Sequence, residues 1–225
     1  MDKIIELLIS VPIILIALTF HECAHGFVAY KLGDPTAKAL GRLTLNPIKH
    51  IDIVGAICML FFRFGWAKPV PINSRFFKKP KRDIALSALA GPLANLLLAF
   101  FGCFIYSISL KIFASIAFTE TNFAFWLYYA GNLFVFNFAW LNIALALFNL
   151  IPLPPLDGSR IFYAFLPERA YFKVMKYERY ILLAIMLLLI ACSRLLNFSP
   201  FGWLGSTVFG WIYNPVANML LKLFF

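Results

Sequence analysis

The chain carries the stretch TFHECAHG at residues 19–26, inside an otherwise apolar run. On a helix, residues four apart lie on the same face, so His21 and His25 can turn imidazole nitrogens toward one ion while Glu22 points alongside them. A zinc ion held in this way lowers the pKa of a bound water toward ~7, and a neighbouring carboxylate can take the proton as that water attacks a carbonyl. The stretch therefore predicts the metal site of a zinc hydrolase.

An alternative interpretation is that the two histidines serve as partners of buried polar groups or belong to a proton path. The apolar setting favours the metal site, because ionisable groups in hydrocarbon are costly and usually functional.

The composition is that of an integral membrane protein. Of 225 residues, 62% are hydrophobic and 13% are charged, and 26 are phenylalanine. The hydrophobic fraction of a soluble domain is much lower. The net charge of +10 could indicate nucleic-acid binding, but the basic residues cluster in loops beside apolar runs, where membrane topology explains them. We therefore expect a lipid bilayer, and no nucleic acid, as the surroundings of this chain.

About 20 helical residues at 1.5 Å each cross the hydrocarbon core, and five runs are long enough or nearly so. A sixth run, Ile51 to Phe64, is too short to span and is expected to be re-entrant. The predicted fold is an all-α membrane protein, a polytopic helical bundle with about five transmembrane spans and a re-entrant or extended insertion, in a single domain over residues 1–225. The predicted spans are Ile4 to Tyr30, Ile84 to Leu110, Ala124 to Leu150, Tyr180 to Leu196 and Phe201 to Phe225.

The segments between the spans carry weaker signals. Residues 42–45 alternate as a short strand does. The prolines at 69 and 71 forbid a helix and favour an extended, edge-strand or polyproline-like conformation over residues 64–73. Residues 159–180 are predicted to form a surface helix interrupted by Pro167. The stretch GPLAN at residues 91–95 is interpreted as a packing notch between helices.

The distribution of Lys and Arg predicts the topology. If residues 51–64 crossed the membrane, the basic residues would divide 14 against 6; if they are re-entrant, the division is 17 against 3. The positive-inside rule favours the second arrangement, which places the helix ends bearing His21, His25 and Asp157 at the cytoplasmic face.

A tetrahedral catalytic zinc needs three protein ligands, so a third residue is expected beside the two histidines. Asp157 is the best candidate, because prolines at 152, 154 and 155 unwind the chain just after a span and deliver a carboxylate there. Asp157 could also cap the helix that begins near Ser159. His50, beside Asp52, is the alternative third ligand, although a single loop histidine is more often structural.

Several of these motifs together resemble the site-2 protease family, membrane-embedded zinc metalloproteases that cleave substrates within or beside the bilayer. HECAH at residues 21–25 is similar to the family's catalytic motif, and residues 149–158, NLIPLPPLDG, are similar to its Asn-x-x-Pro and Leu-Asp-Gly motif. GPLAN matches a further signature of the family, while FGWAKPVP at residues 64–71 and NPIKHID at residues 46–52 are similar to a compact bacterial and archaeal branch.

The resemblance implies that His21, His25 and Asp157 bind Zn²⁺, that Glu22 is the general base and that Asn149 helps to hold the substrate or the developing oxyanion. It implies an intramembrane zinc metalloendopeptidase that acts in regulated intramembrane proteolysis on a single-span membrane-protein substrate. The expected location is the cell (inner) membrane, with the active site near the cytoplasmic face. The chain differs from well-known members in lacking an inserted PDZ or an appended CBS domain, and residues 66–73 are a candidate strand-addition clamp for the substrate.

Two other functions are compatible with the same residues. A metal-ion or proton transporter could use His21, Glu22, His25 and Asp157 as an ion pathway, although the sequence shows no inverted repeat. A catalytically silent relative that binds membrane proteins would not need the glutamate, which is present here.

Overall fold

A computed structural model describes residues 2–53, 67–115, 123–165 and 200–224. It also describes single positions or pairs at 55, 167, 170, 173, 176–177, 180–181, 183–184 and 187–188. Within these ranges the chain forms six α-helices and two short 3-10 turns, and no β-strand forms in the part that the structure describes. The helices are α1 (Asp2–Lys31), α2 (Thr36–Ala39), α3 (Pro80–Ser115), α4 (Phe123–Asn149), α5 (Asp157–Tyr163) and α6 (Pro200–Phe224), and the turns are Pro47–Lys49 and Ser74–Phe76.

Three helices of the described part are long and apolar enough to cross a membrane, namely Leu8–Lys31, Pro80–Ile112 and Phe123–Asn149. They coincide with the first three predicted spans to within a few residues, so the prediction of an all-α membrane protein is confirmed. The residues of the fifth predicted span form helix α6, which contains Pro215 and is not one of these three helices. The fourth predicted span and the run at 51–64 lie largely outside the described residues.

Helix α3 is the centre of the bundle, because it contacts α1, α4, α5 and α6. Its approach to α4 is close: a Cβ added to Gly102 would lie 2.9 Å from the Cβ of Ala139. Ala99, on the turn of α3 before Gly102, and Ala146, two turns beyond Ala139 on α4, are both fully buried. Small residues at a helix contact let two backbones approach, which is how helices associate where lipid removes the hydrophobic driving force.

The two ends of the short apolar run meet. Ile51 and Ala67 form an isolated antiparallel bridge, and the amide of Lys68 donates to the His50 carbonyl at 2.9 Å. A single crossing of the membrane would separate residues 51 and 67 by roughly 30 Å. Residues 31–50 and 67–83 therefore lie on the same side of the bundle, as the count of basic residues predicts.

One local prediction needs correction. Residues 43–45 form bends instead of a strand, because the carbonyl of Thr44 accepts from the His50 side chain and its hydroxyl from the amide of Asn46. Of the surface helix predicted at 159–180, the first part is observed as Asp157–Tyr163, and most of residues 166–180 lie outside the described residues. Residues 68–73 contain no helix, as the prolines at 69 and 71 predict.

Candidate metal centre

His21 and His25 lie one turn apart on α1 and face the interior of the bundle. Both are buried, and their ring centroids are 4.6 Å apart with the ring planes at 89°. The Nε2 atoms of the two rings are 3.0 Å apart. The spacing of four residues thus places both imidazoles where they can share one ligand.

Asp157 reaches the same point from the other end of the chain. It is the first residue of α5, and its Oδ2 lies 3.1 Å from Nε2 of His21 and 3.2 Å from Nε2 of His25. The helix is capped by Leu156 and its cap carries no side-chain hydrogen bond, so the alternative capping role of Asp157 is wrong. Burial opposes ionisation of this carboxyl group, but its contacts with His21 and His25 outweigh it and hold the pKa of Asp157 well below its usual range.

The three side chains have the donor set and spacing of a zinc site. Among the described residues they form the one group of three or more His, Cys, Asp or Glu that could hold a metal ion, with ligand atoms within 4.8 Å of one another. Two ligands at the usual 2.0–2.1 Å from a tetrahedral zinc are about 3.3 Å apart. The observed separations of 3.0 to 3.2 Å fit an ion placed between them.

Helix α3 supports the histidines from behind. The Nδ1 of His25 donates to the carbonyl of Ser87 at 2.7 Å, which leaves its Nε2 free to bind a metal. The buried Nδ1 of His21 has no partner among the described residues, so a hydrogen bond fixes the orientation of one ring only.

Gly91 is the point at which α3 touches both rings. A Cβ added there would lie 2.4 Å from Nε2 of His25 and 2.7 Å from Cε1 of His21, well inside van der Waals contact. The glycine of GPLAN is therefore more than a packing notch between backbones, because it leaves the space that the two imidazoles occupy.

We expect Gly91→Ala to lower zinc affinity by roughly 10- to 100-fold, since the methyl group must push one or both rings away from the shared point. Chelator competition on the purified protein measures this affinity. Gly131→Ala is the matched control, because Gly131 is also helical but a Cβ there would meet nothing within 4 Å. Wild-type zinc affinity in Gly91→Ala would show that the rings do not depend on this contact.

Gly158 lets the start of α5 lie against the end of α4. A Cβ at this position would be 2.3 Å from the carbonyl oxygens of Leu150 and Ile151. No residue other than glycine allows the two chain segments to approach this closely. The glycine of the Leu-Asp-Gly motif therefore sets how far Asp157 reaches toward α1.

Glu22 is not one of the three clustered side chains, and it contacts the neighbouring segment at residues 67–73. It is partly buried, and its Oε2 accepts a hydrogen bond from the amide of Val70 at 2.8 Å. It follows His21 directly on α1. Its role as the base stays a prediction.

The other two predicted site residues lie outside the cluster. His50 is buried and its Nε2 bonds to the carbonyl of Thr44 at 2.8 Å, so its observed partner is a backbone group. Asn149, the last residue of α4, donates to the carbonyl of Leu145 at 3.0 Å, and none of the described contacts joins it to the histidines.

Three features of the site were missed by the sequence analysis. The contact of Gly91 with both rings could have been suspected from the presence of a glycine in the motif. The bond from His25 to the carbonyl of Ser87 could not, because every residue has a backbone carbonyl. The role of the Val70 amide could have been suspected from the sequence, because Val70 lies between two prolines and has the only backbone N–H of that tripeptide.

Comparison with known proteins gives one family. The model of peptidase family M50 matches residues 9–192. A Bacillus subtilis protein named "Putative zinc metalloprotease YwhC" is 40% identical over 216 residues, which is 94% of this chain and 88% of that protein. A Mycobacterium tuberculosis protein named "Putative zinc metalloprotease Rip2" is 27% identical over 206 residues, 89% of this chain and 71% of that protein. No solved structure matches the chain.

Proposed function

The chain belongs to peptidase family M50, and from this membership we propose that it is an intramembrane zinc metalloendopeptidase of the site-2 type. It would hydrolyse peptide bonds within or near the transmembrane segment of single-span membrane proteins. The observation that carries the proposal is the convergence of His21, His25 and Asp157, because two imidazoles and one carboxylate are a donor set of catalytic zinc.

The proposed ligands are Nε2 of His21, Nε2 of His25 and a carboxylate oxygen of Asp157. Zinc bound there supplies a Lewis acid that acidifies a water molecule and polarises a carbonyl. The bond from His25 to Ser87 keeps that ring in the tautomer a ligand needs.

Glu22 is proposed as the general base. It would take a proton from the attacking water and later deliver it to the amine that leaves, so its carboxylate must stand beside the zinc ligands without being one of them. The structure supports this role in one respect: Glu22 is next to His21 on α1, yet its Oε2 is bonded to Val70 and is not part of the ligand cluster.

Asn149 is proposed to contact the substrate. It ends α4 eight residues before Asp157, and its side-chain amide donates to a backbone carbonyl of its own helix, which orients the side-chain oxygen. Asn149→Ala should therefore raise KM or lower kcat while zinc stays bound. Loss of zinc in this variant would point to a structural role.

Cleavage would take place inside the membrane and near one face. His25 and His21 lie six and ten residues before Lys31, the end of the first candidate span, which is about 9 and 15 Å along the helix. We propose that this face is cytoplasmic and that the protein lies in the inner membrane, because 17 of the 20 basic residues fall on that side when residues 51–64 are re-entrant.

The direct test is zinc analysis of the purified protein together with cleavage of a panel of single-span substrates in proteoliposomes. We expect bound zinc and cleavage that stops when a chelator removes the metal and resumes when zinc is restored. Zinc movement across the vesicle wall with no cleavage of any substrate would favour the transporter function instead.

Topology is tested by labelling. In a cysteine-free background, single cysteines at Lys38, Lys79 and Lys173 should resist a membrane-impermeant thiol reagent added to intact cells, because all three positions are expected on the cytoplasmic side. One at Thr121 should react. Labelling of Lys38→Cys but not Lys79→Cys would contradict the contact between residues 51 and 67 and would overturn the proposed arrangement.

A further inference from the structure

Residues 67–73, named here the proline segment, lie over the face of α1 that carries Glu22. The amide of Val70 donates to Oε2 of Glu22 at 2.8 Å. Pro69 and Pro71 have no N–H, so Val70 supplies the only amide of this tripeptide. The chain thus presents a single backbone donor, and this donor is bonded to the acidic residue of the candidate active site.

The proline segment is anchored independently of Glu22. Nη2 of the buried Arg42 donates to the carbonyls of Lys68 and Pro69, at 2.7 and 3.3 Å. At the far end, the amide of Asn73 donates to Oδ2 of the fully buried Asp34 at 2.7 Å. These contacts fix the backbone on both sides of Val70, so its N–H has a defined direction.

Gly26 allows the proline segment to approach α1. It lies four residues after Glu22, on the same face of the helix. A Cβ added to Gly26 would lie 3.0 Å from Cγ1 of Val70 and 3.3 Å from the Cβ of Ala37. The glycine that follows the HECAH motif therefore leaves room for the Val70 side chain on the face of α1 that carries Glu22.

We propose that the backbone amide of Val70 positions the carboxylate of Glu22 for its work as the base, an inference that rests on the proposed function. A glutamate side chain has three rotatable bonds, and a fixed donor on a rigid segment restricts its carboxylate to one place. Positioning of this kind lowers a barrier because the geometry is set before the reaction. Val70 is a positioning residue and does not itself touch the reacting atoms.

The hydrogen bond can be observed without an activity assay. In zinc-loaded protein labelled with 13C-carbonyl proline and 15N-valine, only the pairs Pro69-Val70 and Pro215-Val216 give carbonyl-coupled amide signals. We expect Glu22→Ala to move the Val70 amide proton to lower frequency, because it loses a charged acceptor, and to leave the Val216 signal in place. An unmoved Val70 signal would overturn the proposal.

The role in catalysis is tested by replacing the amide of Val70 with an ester, which removes the N–H and keeps the side chain. We expect kcat to fall about tenfold or more, because hydrogen bonds to charged groups are the strong ones, with KM within twofold and zinc fully bound. Val70→Ala removes the contact with Gly26 but keeps the N–H, so it should lower kcat less than the ester does.

The outcomes separate the two proposals. Wild-type kcat in the ester protein, loss of zinc from it, or an equal fall in Val70→Ala would overturn the positioning role and leave the protease function intact. If the wild-type protein binds no zinc or cleaves no substrate in a zinc-dependent way, the proposed function itself fails.

Discussion

Glu22→Gln is expected to lower kcat for peptide cleavage by roughly 10²- to 10⁴-fold, the usual contribution of a general base, while one zinc ion stays bound per chain. Glutamine has the shape of glutamate and its side-chain oxygen can still accept from the Val70 amide, so the local structure is preserved. It cannot take a proton from water. Turnover of a single-span substrate and zinc content, measured on the same preparation, give both quantities.

Glu6→Gln is the matched control for this prediction. Glu6 lies on the same helix, 16 residues and about 24 Å before Glu22, so its substitution should leave kcat within about twofold. Loss of zinc from Glu22→Gln would contradict the assignment of Glu22 as a base that is not a ligand. Full activity in that variant would place the base elsewhere.

The second large effect is expected at the third ligand. Asp157→Ala should lower zinc affinity by more than about 100-fold and abolish cleavage, because substitution even of an outer-shell partner costs 10- to 100-fold and Asp157 contacts both histidines directly. The variant keeps the two histidines, so weak residual binding is expected. Isothermal titration with zinc, or competition with a chelator of known affinity, measures the loss.

His50→Ala is the comparison that decides between the two candidate third ligands. His50 bonds to the Thr44 carbonyl, so its loss should reduce the free energy of unfolding by about 1–3 kcal/mol without changing zinc affinity. A melting curve separates this effect from a loss of metal. If Asp157→Ala kept zinc and His50→Ala lost it, the site would have to be rebuilt around His50.

Much of the fold could be predicted because the signals are local. An apolar run of the right length is enough to identify a membrane helix, and α1, α3 and α4 end within a few residues of the predicted limits. The conformation around Thr44 could not be predicted in this way, because alternation favours a strand only when a partner strand exists. Here the neighbouring backbone groups bond to side chains instead.

The residues of the site likewise divide into those that a local pattern predicts and those that depend on contacts between distant segments. The spacing of His21 and His25 fixes their shared face without any knowledge of the fold. The contact of Asp157 with His21 joins residues that are 136 positions apart. It could be expected from chemistry, from the count of basic residues and from the resemblance of residues 149–158 to a family motif. The contacts of Gly91 and Val70 depend on how close two segments approach, and a sequence pattern does not give distances.

The same separation of 136 residues has a consequence for the order of events during synthesis. Helix α1 is made first, and at roughly 5–20 residues per second Asp157 follows roughly 7–27 s later. During that interval the two histidines are present without their carboxylate, so the three-residue cluster cannot exist. The growing chain therefore completes its candidate metal centre only after α4 has been made, and any proteolytic activity begins late in its own biogenesis.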